Sequence, residues 1–288
     1  MASRSRDYMA MHWQSGQLPW LVRQALLVPE GLLLSGLLAL HALVGGGLPL
    51  ALTGIGLVVV FLLRSGLLLA ARRALRNSNY KHAERLLALA LRLHPWSADA
   101  LALRGVLHLS LAHPEQAEAD LRRALVLFPG RAALHDALGS ALLDQGRFVE
   151  ARWECIHALK LGPASAHAYL HLAQAEQRLG APITDVERHL RDGLGVCAHP
   201  ADEGALRCAL ALLLIEQGRD GEAKLAVAGV EALAARCAPI ERAALLFHLA
   251  EVERSGGNLE AARSHFRTSE ELDPHGRNAA AAWRAARS

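Results

Sequence analysis

Aromatic residues are few: 5 Trp, 3 Tyr and 5 Phe amount to 5% of 288 residues, while apolar residues reach 52%. A chain so apolar and so poor in rings builds its core from alanine and leucine, and no alternating strand pattern occurs. The expected fold class is all-α. Cysteine is sparse too. Cys155, Cys197, Cys208 and Cys237 form no Cys-x-x-Cys pair, which weighs against zinc ribbons and dithiol redox centres and fits a reducing compartment. Net charge is small, formally +3, with 28 basic against 26 acidic residues from position 64 onward. That balance offers no cationic groove, so nucleic acid is not an expected partner. There is no Gly-x-Ser-x-Gly elbow, no phosphate-cradling glycine loop and no paired-carboxylate constellation. No catalytic residue, cofactor or metal is expected, and the chain is not expected to be an enzyme.

What the sequence does have is a period. Pro95, Pro129 and Pro163 stand thirty-four residues apart. The same step relates Ala71, Gly105, Gly139 and Ala173; Ala83, Ala117 and Ala151; Ala90, Ala124 and Ala158; and Leu93, Leu127 and Leu161. Small residues in one column and leucine in another recur only if each unit packs on the next in the same way. Leu101 to Leu111 reads as one helix, with Gly105 admitting a neighbour. Glu115 to Leu127 reads as a second, carrying Ala117, Leu121, Ala124 and Leu125 as an apolar stripe. Pro129 ends it, because proline lacks the N–H and disfavours a helical residue before it.

These columns resemble the tetratricopeptide repeat. The resemblance divides the chain into units 64–97, 98–131, 132–165, 166–203, 204–242 and 243–276, with a capping helix over 277–288. The third unit is the fullest match, with Leu138, Gly139, Phe148, Ala151, Cys155, Ala158 and Pro163. The fourth departs from the pattern at Gly180 to Asp185 and at Gly193, and the fifth has no closing proline. The implied architecture is a superhelical solenoid of about six helix-turn-helix units.

No Asp, Glu, Lys or Arg occurs between Glu30 and Arg64, a run of thirty-three residues. As one helix it would extend roughly 50 Å, against a hydrocarbon core of about 30 Å. Gly45, Gly46, Gly47 and Pro49 interrupt it, so a transmembrane hairpin is expected over 29–71, with legs at about 29–44 and 48–70. The alternatives, a buried soluble hairpin and a cleaved signal peptide, fit less well: a solenoid cannot cover both legs, and the second leg would survive cleavage. Arg23, Arg64, Arg72, Arg73 and Arg76 flank the legs and the turn has none, which places both ends and the solenoid in the cytoplasm. Residues 1–28, with Trp13 and Trp20, read as an interfacial or disordered segment. The expected location is a bacterial inner membrane, with the lipid bilayer as one partner.

In tetratricopeptide proteins the first helix of each unit lines the concave face, and the resemblance carries that lining onto this chain. It implies Asp99, Leu103 and Val106 in unit two; Asp136, Ser140 and Asp144 in unit three; His167, His171, Gln174 and Arg178 in unit four; and Phe247, His248 and Glu251 in unit six. The set that clamps a chaperone's C-terminal carboxylate in some members is missing. The implied partner is a protein segment, extended or helical, with apolar anchors. His167 and His171 are four apart and could begin a metal site, but Ala168, Tyr169 and Leu170 lie between them with no Glu, so groove lining is the better reading. The expected function is a membrane-anchored scaffold. The alternatives are a structural or assembly subunit of a multi-protein membrane complex bound through its hairpin, and, behind it, a histidine-dependent metal sensor or enzyme.

Overall fold

The computed structural model describes residues 36–37, 39–40, 48–162 and 166–287. The N-terminal segment 1–28, most of the first hairpin leg, the turn at 45–47 and Pro163 lie outside the described residues. Every regular element among the described residues is an α-helix.

Helix α1 runs unbroken from Leu48 to Arg76, 29 residues, so the apolar segment continues into the first repeat without a linker. Its stretch Leu52–Arg76 is long and apolar enough to cross a membrane, with a mean hydropathy of 2.2. Leu52, Ile55, Val58, Val59, Val60, Phe61, Leu62 and Leu63 are all exposed. The last turns change character. Ala71, Ala74 and Leu75 are buried against α2, Tyr80–Leu93, while Arg72, Arg73 and Arg76 face outward.

Antiparallel pairs follow: α3 (Ala98–Ser110) with α4 (Pro114–Leu127), α5 (Ala132–Asp144) with α6 (Phe148–Leu161), and α7 (Ala166–Arg178) with α8 (Ile183–Gly195). Within a pair the small column meets a large one. A Cβ on Gly105 would come 2.8 Å from Leu121 Cγ, and one on Gly139 would come 2.7 Å from Cys155 Sγ. Gly193, which breaks the alanine column, is demanded by the same logic, since a Cβ there would lie 2.9 Å from Tyr169 Cβ. The second helix of each pair buries the alanine columns, with Ala83, Leu87, Ala117, Leu121, Ala151 and Cys155 wholly buried, whereas Leu93 and Leu161 of the leucine column are exposed.

The turns between paired helices follow the period too. Ser78, Ala112, Gly146 and Gly180 all have positive φ, of 55°, 56°, 75° and 73°. The left-handed conformation costs a residue with a Cβ and suits glycine, so units one and two carry a strain that units three and four do not.

The last units depart from the strict step. The first helix of unit five, α9 (Pro200–Glu216), and that of unit six, α12 (Pro239–Ser255), each begin about a turn before 204 and 243. Proline at the first helical position, where its missing N–H costs nothing, sets both starts. The second helix of unit five is split into α10 (Asp220–Val227) and α11 (Val230–Ala235) at Gly229, with φ 82°. Helices α13 (Leu259–Leu272) and α14 (Ala279–Ala285) complete the chain, packed around Phe266.

The solenoid curls back on itself. The Tyr80 hydroxyl at the start of α2 donates to Asp273 Oδ2 after α13, at 2.7 Å across 193 residues of sequence. Burial, with Asp273 beside it, pushes the Tyr80 pKa well above its ordinary value. Arg277 donates to Asp144 Oδ1 at 2.6 Å. Ile240 of α12 packs on the cluster of Ala71, Leu75, Tyr80 and Leu107. The last unit therefore meets the first three, and α5, α7, α9 and α12 face a common interior.

Candidate interaction cavity

Curling reduces the concave groove to a cavity of 280 Å³ between α5, α7, α9 and α12. Ser140, Leu143 and Asp144 come from α5; His167, Leu170, His171 and Gln174 from α7; Ala201, Asp202 and Ala205 from α9; Glu241, Ala244, Leu245 and His248 from α12; Arg277 and Asn278 close one end. One face of each helix supplies them because residues three and four apart share a face.

Most charged groups here are paired with each other. His167 Nε2 lies 3.0 Å from Asp202 Oδ1, and His171 Nδ1 lies 2.8 Å from Asp136 Oδ1. The two imidazoles stack with centroids 5.9 Å apart. The hydrogen bond that His167 donates to Asp202 raises the His167 pKa against the effect of burial. Burial pushes Asp202 up, and the hydrogen bond and charge of His167 outweigh it, leaving Asp202 lowered. His248 differs: burial, with Arg277 nearby, pushes it down to about 4, so it is neutral at pH 7. Glu241 Oε2 reaches back to accept from the Ala238 N–H at 3.1 Å and caps α12.

Of the residues read from sequence as concave, Ser140, His167, His171 and Gln174 line the cavity, with Asp136 holding His171 from behind. Asp144 and His248, read the same way, line it too, and the others stand elsewhere. Asp99 pairs with Arg131 at 2.6 Å. Leu103 packs against the α1–α2 cluster. Val106 is exposed. The Arg178 guanidinium lies 5.8 Å from the Phe148 ring centroid. Phe247 packs edge-on to Phe266 at 5.4 Å, and Glu251 pairs with Arg254 at 2.6 Å. The reading missed Asp202, Glu241, Arg277 and Asn278. The prolines at 200 and 239 were the available signal for the first two, since they start α9 and α12 early; Arg277 and Asn278 enter only through curling.

One set of metal-ligating type lies outside the cavity. Ligand atoms of Glu231, Glu253 and His265 fall within 4.8 Å of one another. His265 Nδ1 lies 2.7 Å from Glu253 and Nε2 lies 3.2 Å from Glu231, so both carboxylates face the ring as ion-pair partners.

A tetratricopeptide-repeat protein from Parabacteroides merdae superposes with a TM-score of 0.57 at 18% identity, covering 78% of this chain and 83% of its own. The fold is that of a tetratricopeptide-repeat solenoid. PilW, a widely conserved type IV pilus biogenesis factor, superposes with a TM-score of 0.53 at 19% identity, covering 76% of this chain and 98% of its own. At these identities the likeness is one of fold. No protein-family model and no curated protein matches the sequence.

Proposed function

We propose that the chain is a membrane-anchored tetratricopeptide scaffold that holds a protein partner through its concave face at the cytoplasmic side of a bacterial inner membrane, without catalysis of its own. The observation that carries the reading is α1, whose exposed apolar turns pass without a break into the first repeat and end in outward Arg72, Arg73 and Arg76. An apolar helix exposed on all sides is stable in lipid, and the arginines beyond it favour the cytoplasmic side. The first hairpin leg, 29–44, belongs to the same reading. In the cavity His167 and His171 are held by Asp202 and Asp136, which suits them to line a binding surface.

A second reading, an assembly subunit of a membrane complex held through the hairpin, draws on the same exposed helix, which could pack on partner helices in place of lipid. Crosslinking and pulldown of the full chain from native membranes separates the two. His167→Ala together with Gln174→Ala releases the partner if the concave face holds it. Retention of the partner by that variant, and its loss on deleting residues 1–63, favours the hairpin instead.

A further inference from the structure

The concave face is partly covered by the chain's own last unit, and the joint that holds it there is thin beside the joints between consecutive units among the described residues. Consecutive units meet through wholly buried side chains such as Leu101, Leu121, Leu138 and Leu142. The seam between the last unit and the first three has, among the described residues, two polar links, Tyr80 to Asp273 and Arg277 to Asp144, and one apolar plug, Ile240. It also leaves a cavity of 140 Å³ lined by Tyr80, Ser110, Ile240, Ser269 and Asp273 among others. Within it the second oxygen of Asp273 is buried without a hydrogen-bond partner. Voids and unsatisfied polar atoms lower the free energy of opening, so this joint yields before any joint between neighbours.

Opening strips the cavity of Glu241, His248, Arg277 and Asn278. The wall that stays on α5, α7 and α9 carries Asp144 and Asp202, with Asp136 behind His171, and no lysine or arginine. Asp144 loses the cation it holds when closed. Apolar Leu143 and Leu170 lie beside it.

We propose that this wall is a docking surface for a basic protein segment, one whose arginine or lysine takes the place of Arg277 on Asp144, and that the last unit is its built-in competitor. The proposal rests on the scaffold reading and adds the partner's charge and the route by which it enters. In the closed state the partner's affinity is reduced by the fraction of molecules that are open. The seam is specified locally as well: a Cβ at Gly276 would collide with Asp273 Oδ2, the oxygen that accepts from Tyr80.

The test uses the full chain in nanodiscs, with hydrogen exchange reporting the seam and two fluorescent peptides as probes, one of leucine and arginine, the other of leucine and glutamate. Tyr80→Phe with Arg277→Ala, and separately Gly276→Ala, should speed amide exchange in α2 and α12. They should also raise affinity for the basic peptide by roughly 5- to 150-fold, the usual range of such coupling. Asp144→Asn should cancel that gain, and the acidic peptide should not bind in any variant. Exchange that stays unchanged in both variants overturns the opening. Faster exchange without a gain for the basic peptide, or a gain that survives Asp144→Asn, overturns the docking surface. Exchange is read within one molecule, so it stands whatever the membrane pulldown finds. A partner captured there that engages no basic segment removes this proposal and leaves the scaffold reading in place.

Discussion

If the small and large columns are complementary, replacing Gly105 by alanine should have opposite signs in two backgrounds. Leu121 is wholly buried, and its Cγ and Cδ2 would lie 2.8 and 3.0 Å from a Cβ at position 105. Leu121→Ala alone should cost about 2–5 kcal/mol, through lost transfer free energy and the void it leaves. Gly105→Ala alone gains about 1 kcal/mol of helix propensity but overpacks a dense contact, at about 1–3 kcal/mol, so it should be neutral to destabilising. With Leu121 already alanine the clash is gone, and the same substitution should stabilise by about 1 kcal/mol. The coupling in the cycle is then about 1–3 kcal/mol. Urea titration of the full chain in detergent, followed by circular dichroism, reads the four midpoints and slopes. Because a repeat array can unfold in parts, the slopes must agree before the midpoints are compared. A cost of Gly105→Ala that is the same in both backgrounds, within about 0.5 kcal/mol, refutes the packing argument.

Ala112→Gly should stabilise by roughly 0.5–1 kcal/mol, since Ala112 sits at φ 56° where units three and four have glycine, and Gly146→Ala should cost a similar amount; thermal melts check both. His248 is neutral in the folded chain, with its pKa lowered from 6.5 to about 4, so the unfolded chain binds the extra proton between those values. Stability from this residue is therefore complete above pH 6.5 and is lost as pH falls to 4, by at most about 3 kcal/mol. His248→Gln should flatten that part of a stability-against-pH curve, and an unchanged curve refutes the assignment. Burial pushes the Cys208 thiol up to about 12 and Cys155 higher still, so both should resist maleimide until the chain is denatured, as quantified by mass spectrometry.

The local part of the fold was legible because it is written in columns. Gly105 against Leu121, and Gly139 against Cys155, are contacts made within one unit and repeated at a fixed step. The helical pairs follow from them directly. Curling was not legible, since it sums small rotations at successive interfaces, and none of them has a residue signature of its own. The cavity shows the same division. His167, His171, Ser140 and Gln174 lie on helices in the regular phase, and the repeat pattern located them. Asp202 and Glu241 sit in the turn by which Pro200 and Pro239 lengthen α9 and α12. Arg277 follows the last unit, and only its bond to Asp144 brings it in. The left-handed column was present in the sequence as well, but Ser78 and Ala112 hide it where glycine would have shown it.

Curling also has a temporal side. Tyr80 and Asp273 are among the first and the last parts of the solenoid to be made, so the seam cannot form until residue 273 has been added. Between the end of α9 and Arg277 lie sixty residues, roughly 3–12 s of synthesis at about 5–20 residues per second. Throughout that interval the earlier units form an open arc on the ribosome, with their acidic inner wall uncovered. The newborn chain thus passes once through the open form that the finished molecule reaches only by breaking its seam.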